Sequence, residues 1–174
     1  GTLVAPHRLG VNRDHFFSYR VDMDGDGTDN NCLRQKLVTE AQPEAAPRQG
    51  IWRVETETVS TEQAAQTVMR VEKPALLTFA SANATNQMGY STGYQLIFPN
   101  IRPLVTPEDP IYQRAGFLKN NLWVTRYQPD EIFSAGIAVN QSAEGRGLPR
   151  YAADDESIEN ADIVAWPTIG FHHV

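Results

Sequence analysis

His15 heads the run Phe16-Phe17-Ser18-Tyr19-Arg20-Val21, which ends in Asp22-Met23-Asp24-Gly25-Asp26-Gly27, and a further histidine, His173, stands next to last in the chain. Imidazole suits copper or zinc, whereas carboxylates and carbonyls suit calcium or magnesium, so these residues speak for two different metals. Side chains at i and i+2 project from one face of a strand. Read as a strand, the first segment puts Arg13, His15, Phe17, Tyr19, Val21 and Met23 on one face and Asp14, Asp22 and Asp24 on the other. The last segment sorts the same way, with Ile163, Ala165, Ile169, Phe171 and His173 together and Asp162 and His172 opposite. This alternation turns both His15 and His173 toward an apolar layer. It predicts two separate metal sites on adjacent strands. Pro167 and Gly170 are the residues that could insert a bulge and shift the second register.

Plainer readings exist for each group. A histidine facing an apolar layer is more often a hydrogen-bonded core residue than a ligand. An Asp- and Gly-rich stretch between strands is an ordinary tight turn without any ion. Asp22-x-Asp24-x-Asp26-Gly27 has the carboxylate spacing of a calcium loop, but position twelve is Leu33 where an EF-hand places a bidentate glutamate. The acidic run Asp154-Asp155-Glu156 reads as a solvated loop, from which Asp162 could approach Asp22 and Asp24 if the two strands are neighbours. The lone Cys32 has no partner for an internal disulfide. Asn83-Ala84-Thr85 and Asn140-Gln141-Ser142 match the glycosylation sequon, a pattern that polar loops reach by chance. Nucleophile elbow, phosphate loop and dinucleotide fingerprint are all missing from the sequence.

The elements that must position these groups are strands. Period-2 alternation with β-branched and aromatic enrichment predicts strands over 2–5, 15–23, 33–39, 51–59, 76–80, 94–98, 122–127 and 162–174, and an all-β fold. One short helix is expected after Ser60-Thr61-Glu62-Gln63, a capping box with Ser60 as cap, before Pro74 ends it. Pro43, Pro47, Pro99, Pro103, Pro107, Pro110 and the small residues of 134–149 read as long loops. With 174 residues, 41% hydrophobic content and a net charge of -6, residues 1–174 read as one acidic domain. That charge is the wrong sign for a nucleic-acid surface, and no apolar run reaches membrane-spanning length. A strand starting at Thr2 and another stopping at Val174 with no lead-in or tail predict an excerpt of a larger domain.

Several ordered motifs together resemble the catalytic domain of the copper amine oxidases. They are Gly1-Thr2-Leu3-Val4, the run from His15 to Asp24 with Asp26-Gly27 and Asn30-Asn31, Gly93-Tyr94-Gln95-Leu96, Leu122 to Tyr127, Asp155 to Asp162, and Gly170 to Val174. The resemblance implies a C-terminal part of a large antiparallel β-sandwich. It implies a parent protein that uses copper and a tyrosine-derived topaquinone to oxidise primary amines with dioxygen, releasing aldehyde, ammonia and hydrogen peroxide. It further implies a homodimer for that parent.

Carried onto this sequence, His15 matches the second member of the family's His-x-His copper pair and His173 the third copper ligand. Arg13 stands where the first histidine is expected. A guanidinium has no lone pair to give, so copper affinity is expected to fall sharply unless His7, His172 or Asp14 substitutes. Asp22, the carbonyl of Met23, Asp24, Asp162 and the carbonyl of Ile163 match a peripheral calcium site of structural role. The topaquinone tyrosine lies in an Asn-Tyr-Asp/Glu motif, and no tyrosine here follows an asparagine. The isolated chain is therefore expected to be inactive. The alternative is a non-catalytic, calcium-binding β-sandwich module derived from the same family.

Overall fold

A computed structural model of the chain describes residues 1–70, 75–98, 105–143 and 145–173. The expected features at Pro74, Pro99, Pro103 and Val174 lie outside them. Ten strands are seen: β1 (Thr2–Ala5), β2 (Arg8–Gly10), β3 (Arg13–Ser18), β4 (Val21–Asp22), β5 (Asn30–Ala41), β6 (Gly50–Val59), β7 (Ala75–Thr85), β8 (Ser91–Leu96), β9 (Leu122–Arg126) and β10 (Ile163–His173). All the pairings are antiparallel. The all-β expectation holds.

β10 is the strand on which the rest depends. β3 and β4 lie end to end along one of its sides and β9 along the other. Val164 faces Asp22 and Thr168 faces Ser18, so four steps on one strand match four on the other. One register therefore spans Pro167, and neither Pro167 nor Gly170 inserts a bulge. The ladder even crosses the break between β3 and β4, where the Tyr19 N–H donates to the Pro167 carbonyl at 3.0 Å. The strand expected over 15–23 is thus two strands, because Tyr19 and Arg20 leave the regular ladder.

A second sheet, ordered β6-β5-β7-β8, packs against this one. Met23, Cys32, Val59, Leu77, Phe79, Leu122, Val124, Ile158, Ile163 and Ala165 form the layer between them. Val164, Trp166 and Trp123 point the other way into a smaller cluster with Leu148 and Ala152. Both faces of β9 and the first half of β10 are covered, which explains their nearly continuous apolar sequence. Trp166 is 1% exposed and its indole N–H donates to the Thr125 hydroxyl at 3.0 Å.

Three short α-helices occur among the described residues, where one was expected: α1 (Glu62–Ala65), α2 (Pro110–Arg114) and α3 (Leu148–Tyr151). The two extra ones begin in stretches read as loop, α2 in the proline-rich one and α3 in the run of small residues over 134–149. Proline is favoured in a first helical turn, where no intrahelical N–H is needed, so Pro110 and Pro149 start helices here. The cap of α1 is Thr61, not Ser60, with its hydroxyl accepting from the Ala64 N–H at 3.4 Å. Ser60 is otherwise engaged, its carbonyl accepting from Ile158 N–H. Among the described residues no helix is long and apolar enough to cross a membrane.

Candidate metal centres

The register of β3 on β10 sets the first site. Phe171 lies opposite His15 and His173 opposite Arg13, so the two histidines are diagonal neighbours on one face. Their Nε2 atoms are 2.9 Å apart, and the rings stack with centroids 4.9 Å apart and planes 11° from parallel. Two nitrogens each about 2.0–2.1 Å from a shared ion stand about 2.9 Å apart when the ligand angle is near 90°. The pair is thus spaced as two donors to one metal. Without an ion, one imidazole donates a proton to the other.

Glycine at 170 makes this placement possible. It lies opposite Phe16, and a Cβ there would come within 2.4 Å of the Phe16 ring and 3.2 Å of the His15 carbonyl. The ring therefore rests on bare backbone, next to His15. On the other face His15 stacks on Phe171, centroids 5.1 Å apart, and Phe171 stacks on Phe17 at 6.0 Å.

The apolar layer expected to face His15 is there, in Phe171 and Phe17, but it lies open to solvent, these two residues being 47% and 45% exposed. Alternation assigns a face to each residue; what covers the face is decided elsewhere. The reverse face holds Asp14 and His172 directly opposite one another, the Asp14 carboxylate in close contact with His172 Nδ1. That pairing takes both away from the His15–His173 face, so neither replaces the missing ligand. His7 occupies the β1–β2 turn with φ 63°, where it serves the reversal of the chain.

The second site forms at the other end of the same strands. Asp22, Asp24 and Asp162 each present a carboxylate oxygen, all within 4.8 Å of one another. Met23, between the two aspartates, turns its side chain into the core at 6% exposure. Its N–H donates to the Ile163 carbonyl at 3.1 Å, leaving that oxygen a second lone pair. The Asn30 N–H and carbonyl bond to Ala161 at 2.9 and 3.1 Å, which anchors the residue before Asp162 to the end of the acidic turn. Asp26 does not join the trio, for its carboxylate accepts the Thr92 hydroxyl at 2.5 Å. The calcium-like local spacing thus misplaces one ligand, and Asp162 from the distant strand stands in its stead.

Charge is crowded at the trio. Asp162 Oδ1 is buried without a hydrogen-bond partner. Burial, then the charges of Asp22 and Asp24, hold the Asp162 carboxyl above the usual range, against the pull of Arg126 and Arg20. Arg20 pairs with Asp22 at 3.7 Å while its guanidinium lies over the Tyr127 and Trp166 rings and its Nε donates to the Glu131 carbonyl.

A second acidic group escaped the sequence reading. Glu62, Asp154 and Glu156 also bring one oxygen each within 4.8 Å. Glu62 is 2% exposed; its Oε1 accepts the Arg126 N–H at 2.9 Å and its Oε2 has no partner. Burial, with Asp154 and Glu156 nearby, pushes its carboxyl up to about 7, the Arg126 N–H opposing. Burial, then the charges of Asp130, Asp154 and Glu156, pushes the Glu131 carboxyl up to about 7. The run 154–156 is a largely exposed loop, as expected, but one fixed in place by contacts with α1. A bridge between Thr61 and Ser157 docks it on α1, with Asp155 accepting the Gln63 N–H. The one signal in sequence was an excess of acid without matching base.

Comparison with known proteins now bears on these centres. The family model described as "Copper amine oxidase, enzyme domain" matches residues 1–174. The chain belongs to the copper amine oxidase family. It is 36% identical over 177 residues to the peroxisomal copper-containing amine oxidase alpha 2 of Arabidopsis thaliana, covering all of this chain and 26% of that protein. To the primary amine oxidase of Klebsiella aerogenes it is 33% identical over 181 residues, covering all of this chain and 24% of the other. Among solved structures, the copper-containing benzylamine oxidase of Hansenula polymorpha superposes with a TM-score of 0.81 at 25% identity, over 92% of this chain and 26% of that one. The chain thus spans about a quarter of the relatives it matches.

Measured against the copper of that family, the donor set falls short. Two imidazoles converge, while neither group of three potential ligands found among the described residues includes them. The neighbour that shares their face is Arg13, a cation without a lone pair. The oxygen trio, by contrast, offers donors of the hard kind that calcium takes.

Proposed function

We propose that this chain is the metal-bearing C-terminal part of a copper amine oxidase catalytic β-sandwich, residues 1–174 forming one domain. The longer protein oxidises primary amines to aldehydes, consuming dioxygen and releasing ammonia and hydrogen peroxide, with copper and topaquinone supplying the redox chemistry. The observation that supports this most is the 2.9 Å approach of His15 and His173 Nε2 within a chain of this family. Asp22, Asp24, Asp162 and the Met23 and Ile163 carbonyls hold calcium in a structural role. They fasten the strand after His15 to the strand before His173, so the ion fixes the two segments that carry the imidazoles.

The chain alone lacks the tyrosine that yields the quinone, and so does not turn over. Peroxide release from benzylamine decides the matter. The full-length protein should turn over and lose that turnover in His15→Ala, while the 174-residue chain stays silent. Arg13 favours a second reading, in which the protein has kept the calcium site and lost catalysis. A full-length protein that binds calcium at the trio but releases no peroxide from any primary amine would establish it.

A further inference from the structure

We infer that Arg20 is a fixed counter-ion of the acidic trio, one that steadies Asp22, Asp24 and Asp162 when no ion is bound and holds down their affinity for calcium. This goes beyond the calcium reading of the trio and rests on it. Arg20 sits in the break between β3 and β4, where the chain leaves the regular ladder on β10. Its Nη1 lies 3.7 Å from Asp22 Oδ2, and its side chain is 23% exposed. Three further contacts pin it: the Nε–H donates to the Glu131 carbonyl at 3.0 Å, and the guanidinium lies over the Tyr127 and Trp166 rings, 5.0 and 5.7 Å from their centroids. None of these three involves a carboxylate of the trio, so the positive charge stays in place when an ion arrives. In the ion-free protein three carboxylates with oxygens within 4.8 Å repel one another, and a guanidinium at their edge offsets part of that repulsion. A dication between the same oxygens meets the guanidinium as a like charge. Both effects favour the empty site. A trivalent ion is repelled more than a divalent one at equal distance, so Arg20 also sets a preference for the lower charge.

Calorimetric titration of the full-length protein with calcium and, separately, with terbium tests this, the trio's share of the binding being the part that Asp162→Asn weakens. Arg20→Met keeps an apolar stem over the two rings and removes the charge. It should bind calcium about tenfold more tightly than the native protein does, and gain still more for terbium, so that the ratio of terbium to calcium affinity rises. Its ion-free form should unfold at lower urea. Were Arg20 no more than a structural support, its loss would slacken Asp22 and weaken both ions alike. A calcium affinity that is unchanged or lower in Arg20→Met therefore overturns the proposal. Should that variant fail to fold without an ion, Arg20→Gln, whose amide can still donate to the Glu131 carbonyl, takes the same test with the same expected rise. If Asp162→Asn removes no calcium binding from the native protein, the trio is not a calcium site. That result overturns the reading beneath the proposal, and the proposal with it.

Discussion

At the scale of single residues, charge without compensation is the recurring theme. Asp162 carries a buried oxygen with no hydrogen-bond partner, beside two further carboxylates. Its raised pKa means that protons and calcium compete for the same oxygens. Calcium affinity should accordingly weaken as pH falls through the raised Asp162 value, releasing fewer protons per ion bound at higher pH; calorimetry in buffers of different ionisation enthalpy measures this. Asp162→Asn should cut calcium affinity by at least tenfold, as expected when a charged first ligand becomes neutral. Glu62 follows the same logic with the sign open to check. Its folded pKa, about 7, lies above the ordinary glutamate value, so the ion-free protein loses stability as pH rises from about 4.5 to 7. Glu62→Gln keeps an acceptor for the Arg126 N–H and removes the charge. At pH 8 and without divalent cations it should raise stability by about 1–3 kcal/mol, with no gain at pH 4, in paired urea titrations.

At the scale of elements, β10 connects every part of the site, since one end carries His173 and the other borders Asp162. Trp166 at its centre is fully enclosed, so Trp166→Ala should cost about 3–5 kcal/mol in chemical unfolding and leave Thr125 without its partner. Gly170→Ala forces the Phe16 ring off the strand, and the near-ultraviolet circular dichroism and the His15 ring resonances should both shift.

Much of this strand was legible in the sequence. Alternation sorted His15 with His173 and Asp22 with Asp24 and Asp162 correctly, because the register runs unbroken past Pro167. What alternation could not supply was context. It gave no sign that Phe17 and Phe171 stand exposed, that Asp26 would turn to Thr92, or that 154–156 would dock on Glu62. Each of these is decided by contacts between segments far apart in sequence. The helices at Pro110 and Pro149 were missed for a local reason, proline having been read as a breaker where it serves as a starter.

At the scale of the whole molecule, two sheets meet over one apolar layer, and the histidine pair and the acidic trio sit at opposite ends of β10 and the strands beside it. The chain carries a net charge of -6, and six of its carboxylates gather in the two groups around Asp162 and Glu62. Calcium at 100 times its dissociation constant should add about 2.7 kcal/mol of stability per site through mass action alone. The central claim is that β4 and β10 are joined by an ion held on hard oxygens. Anomalous diffraction from crystals grown with terbium in place of calcium tests it most directly. The account predicts a peak between Asp22, Asp24 and Asp162, within bonding distance of the Met23 and Ile163 carbonyls. A map without density there, the three carboxylates turned apart into solvent, would contradict it.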